Sequence, residues 1–149
     1  MKQNRKLLCS LLKYIPKPKL FEIPQGFRNS IWWNLAHIIS IQQILLYRFS
    51  GQTARVEDSW IDTYMKGTVP SGIPEQQEID FLQKCLIDTA IWAEEDYKKG
   101  IFAEYEEYTT STKVTLSSVQ DAINFNNYHE GLHLGVILSQ MKVLGIKLG

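Results

Sequence analysis

The sequence predicts an all-α protein, most simply an antiparallel bundle of helices. Three observations carry that expectation. Apolar residues recur at helical spacing in four windows. Proline, glycine and capping residues fall between those windows. Strand-like alternation is sparse, with one short stretch near Tyr105–Val114.

Leu7, Leu8, Leu11, Leu12 and Ile15 suit a first helix that stops before Pro16, because the residue ahead of a proline is disfavoured in the helical region. Residues 16–27 hold three prolines and a glycine and read as a loop. A second helix begins near Asn29 or Ser30, either of which can cap its free N–H groups. Ile31, Leu35, Ile38, Leu45 and Phe49 form its main stripe, and Trp32, Ile39 and Leu46 add a second. So wide an apolar surface predicts burial on two sides, against the core and against a partner subunit. Gly51 is the expected stop, and residues 51–73 form a long connection. A third helix opens at Pro74 with Glu75 and Glu78 near its positive end, and Gly100 closes it. Its inner face is Ile79, Leu82, Leu86, Ala90, Ala93 and Tyr97. Ser117 and Gln120 fit a capping box for a last helical region that closes at Gly145.

A chain of 149 residues suits one domain, residues 1–149, with a real core. Sixteen Lys and Arg balance sixteen Asp and Glu, which argues against a general nucleic-acid or anionic-membrane binder. The apolar run Leu7–Leu12 is too short for a signal core, and polar residues interrupt the stretch from Ser30 to Gly51. The expectation is a soluble, cytoplasmic protein with reduced thiols. Cys9 and Cys85 lie on apolar stripes and read as packing groups. The acidic residues Glu94, Glu95, Asp96, Glu104, Glu106 and Glu107 read as a solvated face.

The chemistry rests on three histidines. His129 and His133 are four residues apart, which on a helix is about 40° of rotation and about 6 Å of rise. Both rings leave one face and can share a metal ion. They lie on the inward stripe with Ala122, Phe125, Val136, Gln140 and Leu144. The string His129-Glu130-Gly131-Leu132-His133 is a literal HExxH, the zinc-peptidase pattern with Glu130 as general base. No His, Asp, Glu or Cys follows His133 in this sequence to complete such a site, so the peptidase reading is set aside. The third ligand then comes from upstream, where His37 sits on the inward side of the second helix. A di-iron carboxylate site needs two Glu-x-x-His motifs. Glu130 to His133 supplies one, but Asn34 stands where the second needs a glutamate.

Trp32-Trp33-Asn34-Leu35-Ala36-His37-Ile38, Tyr128-His129-Glu130-Gly131-Leu132-His133-Leu134-Gly135 and the closing Leu144-Gly145 resemble the DinB-like superfamily. The resemblance covers nearly the whole chain, although Val136 stands where members often carry Gln. It implies an up-down-down-up four-helix bundle, often homodimeric, holding one divalent ion, Zn or Ni or similar. It maps His37, His129 and His133 onto the metal triad. Some relatives are thiol S-transferases or thiol-dependent isomerases, which implies a small-molecule substrate, such as a low-molecular-weight thiol.

Three imidazoles leave a metal coordination position open for water or substrate, as in catalytic sites. The leading expectation is therefore a metal-dependent transferase or hydrolase. The competing one is a non-enzymatic module in which the ion fastens two helices. Glu130 is a weak catalytic candidate that reads equally well as a solvated surface residue. Asn34 and Asn126 each precede a ligand histidine by three residues and are candidates to hydrogen-bond a ligand ring or a substrate.

Overall fold

A computed structural model describes residues 1–70 and 72–147. Its helices are α1 (Lys2–Tyr14), α2 (Lys17–Phe21), α3 (Ile31–Leu46), α4 (Asp58–Tyr64), α5 (Gln76–Lys98) and α6 (Val119–Val143). A short antiparallel ribbon of β1 (Tyr108–Thr109) and β2 (Thr115–Leu116) precedes α6, where the sequence shows its one alternating stretch. Four long helices carry the fold: α3 packs on α6 and α5, and α1 packs on α5 and α6. Among the described residues, no helix is long and apolar enough to cross a membrane.

Local chemistry sets the helix ends, with two shifts from expectation: α5 begins at Gln76 rather than Pro74, and α3 ends at Leu46, with a 3-10 turn, Arg48–Ser50, before Gly51. Ser30 caps α3 by accepting from Trp33 N–H at 3.2 Å. Glu75 and Glu78 form a reciprocal capping box at the start of α5. Gly100 and Gly145 follow α5 and α6 at φ 72° and 71°, a backbone region that costs a side chain dearly. The cap of α6 falls one residue later than expected. Ser118, not Ser117, accepts from Asp121 N–H at 3.2 Å, and Asp121 takes the place predicted for Gln120.

Other expectations need larger corrections. Helix α1 begins at Lys2, a turn and a half before Leu7, because Arg5 is a core residue at 0% exposure. Leu7 itself is exposed, as is Tyr97 on α5. The loop 16–27 contains α2, with Pro18 in its first turn, where a proline is tolerated. The connection 51–73 contains α4. Together these short helices cover the Trp32 end of the second stripe of α3, and Leu46 at its other end packs with Ala93 of α5 and Ala122 of α6. Trp32 meets Phe21 of α2 edge-on at 5.6 Å and Trp60 and Tyr64 of α4 at 6.3 and 6.4 Å. Its indole N–H also donates to the Tyr64 hydroxyl at 2.9 Å. Fourteen of the sixteen residues of α3 are buried within this one chain. The apolar face expected to meet a partner subunit is thus covered by the protein's own elements.

Candidate metal centre

Helix α3 delivers His37 and α6 delivers His129 and His133 to one point. One ring nitrogen from each lies within 4.8 Å of the others. His133 Nε2 and His129 Nε2 are 3.1 Å apart, near the roughly 3.3 Å edge of a tetrahedron with metal–nitrogen bonds of about 2.0–2.1 Å. The ring centroids of His37 lie 5.3 Å from His129 and 4.8 Å from His133. His37 is 4% exposed, while the other two are partly exposed, so the cluster opens on the α6 side.

Outer contacts fix two of the three tautomers. His37 Nδ1 lies 2.7 Å from the Tyr64 carbonyl, which can only accept, so Nδ1 carries the proton and Nε2 presents its lone pair. His133 Nδ1 donates to Asn34 Oδ1 at 2.7 Å, again freeing Nε2. The Asn34 amide is itself oriented, since its Nδ2 donates to Ser30 O at 2.8 Å and Gln140 Oε1 at 3.2 Å. Gln140 in turn donates to Asn29 O at 2.5 Å. His129 differs: its Nδ1 is buried without a partner among the described residues.

Electrostatics keep the rings neutral. Burial lowers His37 to about 4, partly opposed by its bond to Tyr64. Burial, then the neighbouring His37 and Arg5 charges, takes His129 to about 3. Burial, then His129 and His37, takes His133 to about 2. At neutral pH all three have a lone pair for a cation, and two bare nitrogens 3.1 Å apart repel unless a cation or proton lies between them. The donor set therefore fits a divalent ion.

Aromatic walls flank the cluster. Trp33 stacks on His37 with centroids 4.3 Å apart and planes 15° from parallel. Its indole N–H donates to Thr68 Oγ1 at 2.9 Å, pinning the loop after α4. Phe125 stands 6.4 Å from His129 on the other side. A 180 Å³ cavity lined by Trp32, Trp33, Asn29 and Tyr64 lies on the Trp33 side.

A family model described as the DinB superfamily matches residues 1–137. The chain belongs to the DinB superfamily. No curated protein matches it. In this DinB-superfamily chain the structure brings His37, His129 and His133 together and sets Asn34 against the His133 ring. Asn126 Nδ2 donates to Glu130 Oε1 at 2.8 Å, and among the described residues Asn126 hydrogen-bonds no histidine ring. Glu130 is not a solvated surface residue. It is 1% exposed and Oε1 accepts from Arg5 Nε at 2.8 Å. The contributions of the Tyr64 carbonyl and Arg5 escaped sequence reasoning. A carbonyl carries no residue signature, and an arginine in a basic N-terminal run reads as surface. Gln140, by contrast, already stood on the inward stripe.

Proposed function

We propose that the protein is a metal-dependent transferase or hydrolase of small molecules, with His37, His129 and His133 as ligands of one Zn or Ni ion in an up-down-down-up four-helix bundle. A low-molecular-weight thiol is the substrate class that suits it best. The observation that carries this reading is the convergence of three neutral imidazoles, two with tautomers set by Tyr64 and Asn34 so that Nε2 faces inward. Bound there, a divalent ion would supply Lewis acidity, favouring the deprotonated form of a water or thiol at neutral pH.

The chain's own residues do the rest. Tyr64 and Asn34 hold two ligand rings in register, and Trp33 and Phe125 exclude water from the flanks. Because the three ligands are neutral, an anionic reactant best balances a dication in this partly buried setting. Glu130 does not suit the base role of an HExxH peptidase, since Oε1 is held by Arg5 and Asn126. The non-enzymatic alternative draws its support from the rigidity of the same contacts, and a closed fourth coordination position would favour it.

Elemental analysis of protein purified without added metal tests the reading first. About one ion per chain is expected, and His37→Ala should lose it. Turnover screens with thiol and amide substrates then separate the classes. Turnover that His37→Ala abolishes supports the enzyme, and turnover that persists in that variant overturns it.

A further inference from the structure

Three ligand rings need three outer partners, and the third is the one without a direct contact. When Nε2 of a neutral imidazole faces a cation, Nδ1 must carry a proton. His129 Nδ1 is buried, and a buried N–H without an acceptor is costly.

Among the described residues, Asn127 Oδ1 is one buried atom without a partner near His129, and four others belong to one network. Arg5, Asn126 and Glu130 are 0%, 0% and 1% exposed. Glu130 Oε1 accepts from both Arg5 Nε and Asn126 Nδ2, each at 2.8 Å. That leaves Arg5 Nη1 and Nη2, Glu130 Oε2 and Asn126 Oδ1 buried without partners, together with His129 Nδ1. Glu130 adjoins His129 in sequence, Asn126 lies one helical turn before it, and the Arg5 charge is among the influences felt at its ring. The orphaned set contains both donors and acceptors, with the Arg5 and Glu130 charges already opposed. Such a set is matched by water, which donates and accepts, rather than by an anion or a second cation.

We propose that Arg5, Glu130 and Asn126 enclose structural water that accepts from His129 Nδ1–H and donates to Glu130 Oε2. The Arg5–Glu130 pair thereby becomes the positioning device of the third ligand ring, as Tyr64 and Asn34 are for the other two. This rests on the metal reading above. It assigns Glu130 a role through His129, not on the reacting atoms.

A double apolar replacement, Arg5→Met with Glu130→Leu, separates this role from a purely structural tie. A buried ion pair replaced by apolar groups of similar volume commonly leaves a fold as stable or more so. The full-length variant loses the ion pair but strands Asn126 Nδ2, so it should fold with a melting temperature near that of wild type, yet hold Zn²⁺ about tenfold more weakly in competition with a chromophoric chelator. Equal Zn²⁺ affinity in a folded double variant overturns the proposal while leaving the metal site intact. Wild-type protein that binds no Zn²⁺ overturns the metal reading instead. Should the double variant not fold, NMR of Zn²⁺-loaded wild type decides. A slowly exchanging His129 Hδ1 with a cross-peak to long-lived water supports the relay. A fast-exchanging proton, or one without that cross-peak, overturns it.

Discussion

Two clusters of buried charge lie in this bundle, and they are built differently. Asp96 on α5 is 1% exposed and fully engaged: Oδ1 accepts from Arg55 Nη2 at 2.5 Å, and Oδ2 from Arg55 Nε at 2.9 Å and the Tyr47 hydroxyl at 2.7 Å. The Arg55 side chain remains 44% exposed, so its other N–H groups reach solvent. This cluster ties the segment after α3 to α5, helped by Arg55 N–H donating to Gln43 Oε1 at 2.7 Å. The Arg5–Glu130 pair has both side chains at 0% exposure and leaves donors and acceptors unfilled beside the histidines. A tie between elements can close on itself. The supporting role proposed for Arg5 and Glu130 requires hydrogen-bonding capacity that the pair does not itself consume.

Breaking each cluster from one side should expose the difference. Arg5→Ala strands a buried carboxylate and should cost about 3–5 kcal/mol. Asp96→Ala frees Arg55 into water but strands the Tyr47 hydroxyl, and should cost about 1–3 kcal/mol. Urea midpoints of the two variants measure this, and equal losses would erase the distinction. Zn²⁺ affinity should fall only in the first.

The two regions should also lose stability in different pH windows. The three histidine pKa values are lowered from 6.5, so below that value the unfolded chain binds more protons than the folded one. Their contribution is complete above about 6.5 and drains away as pH falls toward their folded values of about 4, 3 and 2. Burial raises the Asp96 carboxyl, but the Arg55 and Tyr47 hydrogen bonds outweigh it and hold the group below its ordinary 3.8. Its contribution is present above 3.8 and declines only below it. Metal-free protein should therefore begin to weaken in urea as pH falls below 6.5, well before Asp96 titrates, and a His129→Ala/His133→Ala variant should lose most of that slope and keep the share of His37 between 6.5 and about 4.

The smallest effect concerns the start of the helix that carries two of the histidines. Ser118→Ala should cost about 1 kcal/mol and Ser117→Ala less than half of that, measured by thermal melting. The reverse order would return the cap to the position expected from the sequence.

Much of the site is legible in the sequence. His129 and His133 share a helix, so spacing alone places their rings on one face. Asn34 precedes His37 by three residues, and its place near the cluster followed from the same periodicity, although it serves His133 across the helix interface. Asp96 and Glu130 are expected in solvent, and each is buried because a partner far along the chain meets it: Arg55 for the first, Arg5 for the second. Helices α2 and α4 are too short for periodicity to register, and packing against Trp32 stabilises them more than propensity does.

The sequence by itself determined the helical class, the long helices α3, α5 and α6, a cap at Asn29 or Ser30, the acidic start of α5, and a matched histidine pair, since each depends on residues within a few positions of one another. Only the tertiary structure decided that His37 meets that pair, that a backbone carbonyl and an asparagine set two of the tautomers, and that Glu130 faces Arg5 inside the core. Those facts depend on groups up to 125 positions apart, and only chain packing brings them within hydrogen-bonding distance.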